Sequence, residues 1–168
     1  PNPTDKYIFL AKFKPNGDFR WAKSIPLTTT TGNFLDIVID DFNQIYLSGF
    51  FTDSLTFDDT TVVSQGVGDD IVLAKVDTSG TLQWILTEGS NDDDDRANGL
   101  TTDPSGAVYI TGYFSQTAVF SGTPVTSAGD LDIFVAKYNT SGSLLWVTRS
   151  GDIGADIAYG AKVRENLL

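Results

Sequence analysis

Four aspartates in succession, Asp92, Asp93, Asp94 and Asp95, followed by Arg96, form the densest charge in this 168-residue chain. Adjacent carboxylates repel one another unless something neutralises them. A hard cation such as Ca²⁺, taking six to eight oxygens at roughly 2.4 Å, is the cofactor this chemistry suggests, and Asp92–Asp95 is the candidate metal loop. The run lacks the alternating Asp-x-Asp-x-Asp-Gly spacing of an EF-hand-type loop, and its plainer reading is a solvated tip with Arg96 as partial counter-charge. Asp58-Asp59 and Asp69-Asp70 are further acid pairs. Two carboxylates about 5–10 Å apart can cleave a glycosidic bond, which makes a carboxylate-based lyase or hydrolase one function class. Acid pairs on turns are common in acidic proteins, however, and no catalytic residue is assigned. The chain has no histidine, cysteine or methionine. That excludes Ser-His-Asp and Cys-His nucleophile systems, imidazole or thiolate zinc sites, and any disulfide framework.

The charge balance narrows the partners. Net charge is −11 and the pI is near 4.1, so phosphate backbones and anionic lipid are repelled. No apolar run approaches the ~20 residues of a membrane-spanning helix. Neither nucleic-acid binding nor membrane insertion is expected. The first residue is Pro1 rather than methionine, which reads as a processed or trimmed start that could have lost a signal peptide.

These residues are carried by a repeat. Ile8-Phe9-Leu10-Ala11-Lys12-Phe13 recurs as Ile71-Val72-Leu73-Ala74-Lys75-Val76 and as Ile133-Phe134-Val135-Ala136-Lys137-Tyr138. Each copy leads to a glycine turn (Gly17, Gly80, Gly142) and then a tryptophan (Trp21, Trp84, Trp146), and the tryptophans lie 63 and 62 residues apart. A fixed period of this length marks a repeat architecture. The approximate units are 5–67, 68–129 and an incomplete 130–168 within a single repeat domain, 1–168. The lysine strand and the tryptophan strand form a hairpin. A second pair follows, Gly99–Asp103 and Val108–Phe114, with Ile45–Phe51 as its first-unit counterpart. Gly49 and Gly112 interrupt these strands and signal a bulge or close backbone approach. No segment reads as a helix. The expected fold is all-β, an incomplete β-propeller of two to three blades with about four antiparallel strands each. Aromatics, 12% of the chain, fill the spaces between blades. Lys12, Lys75 and Lys137 read as scaffold, each within reach of a neighbouring blade's carboxylate.

The pattern Asp-(Ile/Leu)-x-(Val/Leu)-Ala-Lys-(Tyr/Val)-(Asn/Asp)-x-Ser-Gly-x-Leu-x-Trp is followed by Asp-x-x-Gly-x-(Val/Ile)-Tyr-(Ile/Val)-x-Gly-x-Phe. It is carried by Asp132–Trp146, Asp70–Trp84 and Asp103–Phe114, and resembles the SBBP-type β-propeller repeat of bacterial extracellular and cell-surface proteins. The first copy is looser, with Pro15-Asn16-Gly17 for Thr-Ser-Gly and Asn43 at the position of Gly106. The resemblance implies a propeller, an extracellular or cell-surface location and a binding or structural role, with no shared catalytic residues. The period here exceeds the family's usual repeat, so extra loop or strand material is expected.

Propellers close with four to eight blades, and fewer than three leave apolar faces and strand edges open. The partners expected are further blades of a longer parent chain or other copies of the same chain. The leading expectation is a non-enzymatic structural, self-assembly or protein-interaction module. The alternative is a carbohydrate- or ligand-binding propeller that uses the variable loops, where Tyr113 or Phe50 would stack on a sugar ring. Asn139-Thr140-Ser141 matches a glycosylation sequon, but the parallel Asp77-Thr78-Ser79 marks the position as a turn.

Overall fold

The computed structural model describes residues 6–27, 31–91 and 94–164. Those residues form twelve strands and no helix. The first sheet contains β1 (Lys6–Phe13), β2 (Phe19–Leu27), β5 (Ser54–Phe57) and β6 (Thr60–Val63). The second contains β3 (Gly32–Ile39), β4 (Ile45–Phe51), β7 (Asp70–Val76) and β8 (Leu82–Glu88) in that order. The third runs β9 (Arg96–Thr102), β10 (Val108–Phe120), β11 (Thr123–Tyr138) and β12 (Leu144–Ser150). All pairings are antiparallel. Three four-stranded antiparallel sheets, the second and third with matching strand order, are propeller-like blades.

The second and third sheets straddle the sequence repeat. In the second, β3 and β4 come from the end of one unit and β7 and β8 from the start of the next. The sequence hairpin is confirmed, with Lys75 opposite Trp84 and Lys137 opposite Trp146. Both strand glycines sit where backbones crowd. A Cβ on Gly49 would run into the Asn33 carbonyl, and one on Gly112 into the Arg96 carbonyl. The neighbouring ladders shift register at Phe34/Asp36 and Thr111/Gly112, so both of the roles expected of a strand glycine are realised.

The inner strands of the middle sheet, β4 and β7, are buried on both faces, which explains the two-sided apolar run of β7. Tyr46, Ile71 and Leu73 face the third sheet and pack with Leu100, Ile110, Phe114, Phe120, Phe134 and Tyr138. Ile45, Leu47, Val72 and Ala74 face the first, with Leu10, Ile25, Leu27 and Leu55. The tryptophans act between units. The Trp21 ring lies against Gly80, and its Nε1 donates to the Thr78 carbonyl at 3.1 Å. Trp84 repeats this against Gly142 and the Thr140 carbonyl at 3.2 Å. Lys12 and Lys75 donate to these same two carbonyls, each at 3.0 Å. The expected carboxylate of a neighbouring blade is found for none of the three among the described residues; Lys137 pairs with Asp103 of its own sheet at 3.0 Å. Two of the three lysines thus cap turn carbonyls of the next unit instead of an acid.

One element escaped the sequence. The β5–β6 hairpin leaves its own unit and joins the preceding sheet, with Leu55 opposite Leu27. In the next unit the same segment is the outer end of β10 and β11, and Val119 bridges to Gly89 just after β8. Each hairpin therefore clamps the preceding blade's outer strand. The segment Ile157–Gly160 lies beside β9, with Asn98 Nδ2 donating to the Ala158 carbonyl at 2.9 Å, and has no strand pairing among the described residues.

Candidate functional site

The acidic loop separates its members. Asp92 and Asp93 lie outside the described residues. Asp94 is exposed; its Oδ1 accepts the Asp69 amide at 3.1 Å, and its Oδ2 lies 3.6 Å from Arg96. Arg96 pairs mainly with Asp69, at 2.5 Å, and its guanidinium covers the Phe50 ring at 4.1 Å. Asp95 turns inward and is fully buried. Its Oδ2 accepts the Ser90 amide at 2.6 Å and its Oδ1 the Ser115 amide at 3.0 Å.

Asp95 meets a second buried carboxylate, Asp70, at the start of β7. Asp70 Oδ2 accepts the Gln65 amide at 2.5 Å, while Oδ1 is closed to water and has no hydrogen-bond partner among the described residues. The two acids converge over Gly89, whose φ is +154°. A Cβ there would stand 2.5 Å from Asp70 Oδ1 and 3.1 Å from Asp95 Oδ2, so only glycine leaves them room. Burial pushes the Asp70 pKa up, the Gln65 amide pulls it back, and the charges of Asp95 and Asp69 push it up again, to about 7.

The third sheet repeats this station at Asp132, Gly151 and Asp156. Gly151 also has φ +154°, and a Cβ there would crowd Asp132 Oδ1 and stand 3.0 Å from Asp156 Oδ2. Asp132 Oδ2 accepts the Ala128 amide, and Oδ1 is again buried without a partner. One difference matters. Arg149 Nη1 contacts Asp132 Oδ2 at 2.8 Å, whereas the matching position in β8, opposite Val72, is Thr87. The first unit has Tyr7 where the others have Asp70 and Asp132.

The other acids behave as scaffold. Asp58 takes Lys23 at 2.6 Å and the Leu82 amide at 2.9 Å. Asp59 is exposed. Asp103, Asp77 and Asn139 each fold their side chain over the following turn, accepting amides two and four residues on. The sequon asparagine and its aspartate counterpart thus do the same work. Among the described residues no three His, Cys, Asp or Glu side chains form a metal-holding group.

A second candidate surface lies at the first sheet. Among the described residues β1 pairs with β2 alone. Between β1 and β3 lies an open groove of about 590 Å³, lined by Ile8, Leu10, Leu27, Phe34, Leu35 and Leu47 among others. Exposed Phe9, Leu35 and Ile37 are among the lining residues, and further exposed apolar residues lie along the same strands, Phe13 and Phe19 on the hairpin and Ile39 on β3. Apolar patches of this kind beside a strand edge without a strand partner among the described residues are candidate interaction surfaces. The sequence implied open faces but gave no signal for where they would lie.

No family model matches the chain. It is similar to an uncharacterized WD repeat-containing protein of Acanthamoeba polyphaga mimivirus, with 30% identity over 173 residues that cover 90% of this chain. The chain spans 12% of that relative's length. Together with the three sheets, this supports a propeller-type repeat fold, an architecture that suits a non-catalytic structural or interaction module.

Proposed function

We propose that this chain is a non-enzymatic β-propeller segment of SBBP type, extracellular or cell-surface, that works as a protein-interaction and assembly module. The observation that supports this reading is the apolar groove beside β1, whose inner edge has no strand partner among the described residues. In the second sheet the strand equivalent to β1 is β7, and β4 occupies its inner edge. The groove is therefore shaped for strands of the same repeat type, delivered by another copy of the chain or by neighbouring blades of a longer parent. Main-chain pairing along β1 supplies affinity, and the apolar side chains select a strand with the alternation of β4 or β10. The acidic surface, at net charge −11, disfavours nucleic acid as the alternative partner.

Light scattering behind a sizing column tests this over a range of chain concentrations. The expected result is a mass that grows with concentration and returns to that of one chain in Phe9→Lys and Ile37→Lys, substitutions at exposed positions of the groove rim. A single-chain mass at every concentration, unaltered by either substitution, overturns the proposal.

A further inference from the structure

Three buried oxygens without partners belong to residues that surround the Asp95 carboxylate in the second sheet. Asp70 Oδ1, Ser90 Oγ and Ser115 Oγ are all closed to water and have no hydrogen-bond partner among the described residues. Their residues are 0%, 4% and 6% exposed. Ser90 and Ser115 are the two residues whose amides hold Asp95, and Asp70 Oδ1 points into the same space over Gly89. Buried polar atoms are normally paired, and each exception calls for an explanation. Here Asp70 Oδ1 lies beside a second carboxylate, Asp95, over Gly89, so the neighbour that would satisfy it is an electropositive one.

The third sheet carries a positive charge of its own beside the equivalent acid, on Asp132 Oδ2, although Oδ1 there is also without a partner among the described residues. Arg149 lies on Asp132 at 2.8 Å, beside the same glycine and the same second aspartate, Asp156. Thr87 stands at the matching place in the second sheet. Arg96, the nearest described cation, is engaged by Asp69 and Asp94. From this contrast we infer that the Asp70–Asp95 station binds one hard divalent cation of the Ca²⁺ or Mg²⁺ class per chain. Its oxygen ligands are Asp70 Oδ1, the Asp95 carboxylate and the hydroxyls of Ser90 and Ser115. Carboxylate and hydroxyl oxygens are the donors such ions take. Ser115 also lines a cavity of about 440 Å³ with Gly68, Asp94, Tyr113, Asp130 and Leu131, which gives the ion a polar route in. Of the described members of the four-aspartate run the site uses Asp95, and Asp94 stays at the mouth.

The ion joins two blades. Asp70 begins β7 of the second sheet, and Ser115 belongs to β10 of the third. Binding therefore stiffens the blade joint and raises thermal stability by mass action.

Calorimetric titration of the intact, EDTA-stripped chain with CaCl₂ and with MgCl₂ at neutral pH tests this. The expected result is one saturable site per chain for at least one of the two ions, with a matching rise in Tm. Asp70→Asn should weaken binding at least about 10-fold, and Ser115→Ala by several-fold. Asp94→Asn should leave affinity nearly unchanged, and Asp132→Asn should leave the stoichiometry at one. Absence of saturable binding by both ions overturns the proposal, as does wild-type affinity in Asp70→Asn. Binding lost in Asp94→Asn and kept in Asp70→Asn also overturns it and moves the ion to the loop tip. If Asp70→Asn does not fold, as read by circular dichroism, Ser115→Ala decides in its place: wild-type affinity there contradicts the site.

Discussion

The first and second sheets contain the same outer hairpin and bury it to opposite degrees. Phe9, Val72 and Phe134 occupy one station in β1, β7 and β11, opposite Ser24, Thr87 and Arg149. Val72 and Phe134 are fully buried, whereas Phe9 is 68% exposed. The strands do not differ in kind; each is apolar on both faces and carries the same Ala-Lys step. The neighbour differs. The face of β7 that carries Val72 packs on the first sheet, and the face of β11 that carries Phe134 packs on the second. No described sheet covers the Phe9 face of β1, which also lacks an inner strand like β4 or β10 among the described residues. An apolar strand is thus core or docking surface according to what lies beside it, which is why the groove reads as an interaction site.

Substitutions along that station give the largest contrast. Phe134→Ala removes a ring packed at 5.0 Å from Phe120 and should cost about 3–5 kcal/mol. Phe9→Ala should change the stability of the isolated chain by less than about 0.5 kcal/mol. Denaturant unfolding of the two variants at low concentration measures the gap, and equal losses would contradict the comparison. The strand glycines come next. Gly112→Ala must push a methyl into the Arg96 carbonyl, and overpacking of this kind costs about 1–3 kcal/mol. Gly17→Ala, at a turn with open space around it, gains no such clash and bears only the strain of its positive φ, so it should lose less in the same assay.

Asp103 sharpens the comparison through pH. Burial opposes its ionisation, but bonds from Ser105, Lys137, Tyr109 and the Ala107 amide outweigh it and hold its pKa well below the usual carboxylate range. A carboxylate with a lowered folded pKa contributes stability that is present above its unfolded pKa, about 3.9, and lost as pH falls below it. Asp103→Asn should therefore cost about 1–2 kcal/mol at neutral pH and flatten the acid limb of a Tm-against-pH profile. A profile parallel to that of the unaltered chain would refute this. The smallest effect is expected at the tryptophans. Trp84→Phe loses the bond to the Thr140 carbonyl, worth about 1 kcal/mol. Trp146→Phe should lose less, because Trp146 is 43% exposed and makes no such bond among the described residues. Paired thermal melts distinguish the two.

Much of the scaffold was legible because each repeated residue type answers a local requirement. The Ala-Lys hairpins, the glycine turns and the two bulge glycines follow from strand periodicity and backbone sterics, and those elements stand where the sequence puts them. Asn43, at φ +61°, replaces Gly106 at φ +80°, a substitution the left-handed region tolerates. What stayed hidden depends on partners distant in sequence. Periodicity reveals that Leu55 and Val119 are strand residues, but nothing local says that they lean on the preceding blade. The acidic run drew the eye as a block of charge, while the closer pairing is between Asp95 and Asp70, far apart in sequence. The recurrence of Asp70 as Asp132, and of Gly89 as Gly151, was the signal that could have found it. The lysine partners were missed for a similar reason, since a turn carbonyl is invisible in side-chain chemistry.

Residue-resolved hydrogen exchange of β1 against β7, at low and at high chain concentration, tests the central claim most directly. At low concentration β1 amides should exchange at least about tenfold faster than those of β7, as an edge strand with one partner must. At high concentration β1 should gain protection while β7 stays unchanged. Equal protection of the two strands, or a β1 that does not respond to concentration, would contradict the reading of this edge as the docking surface.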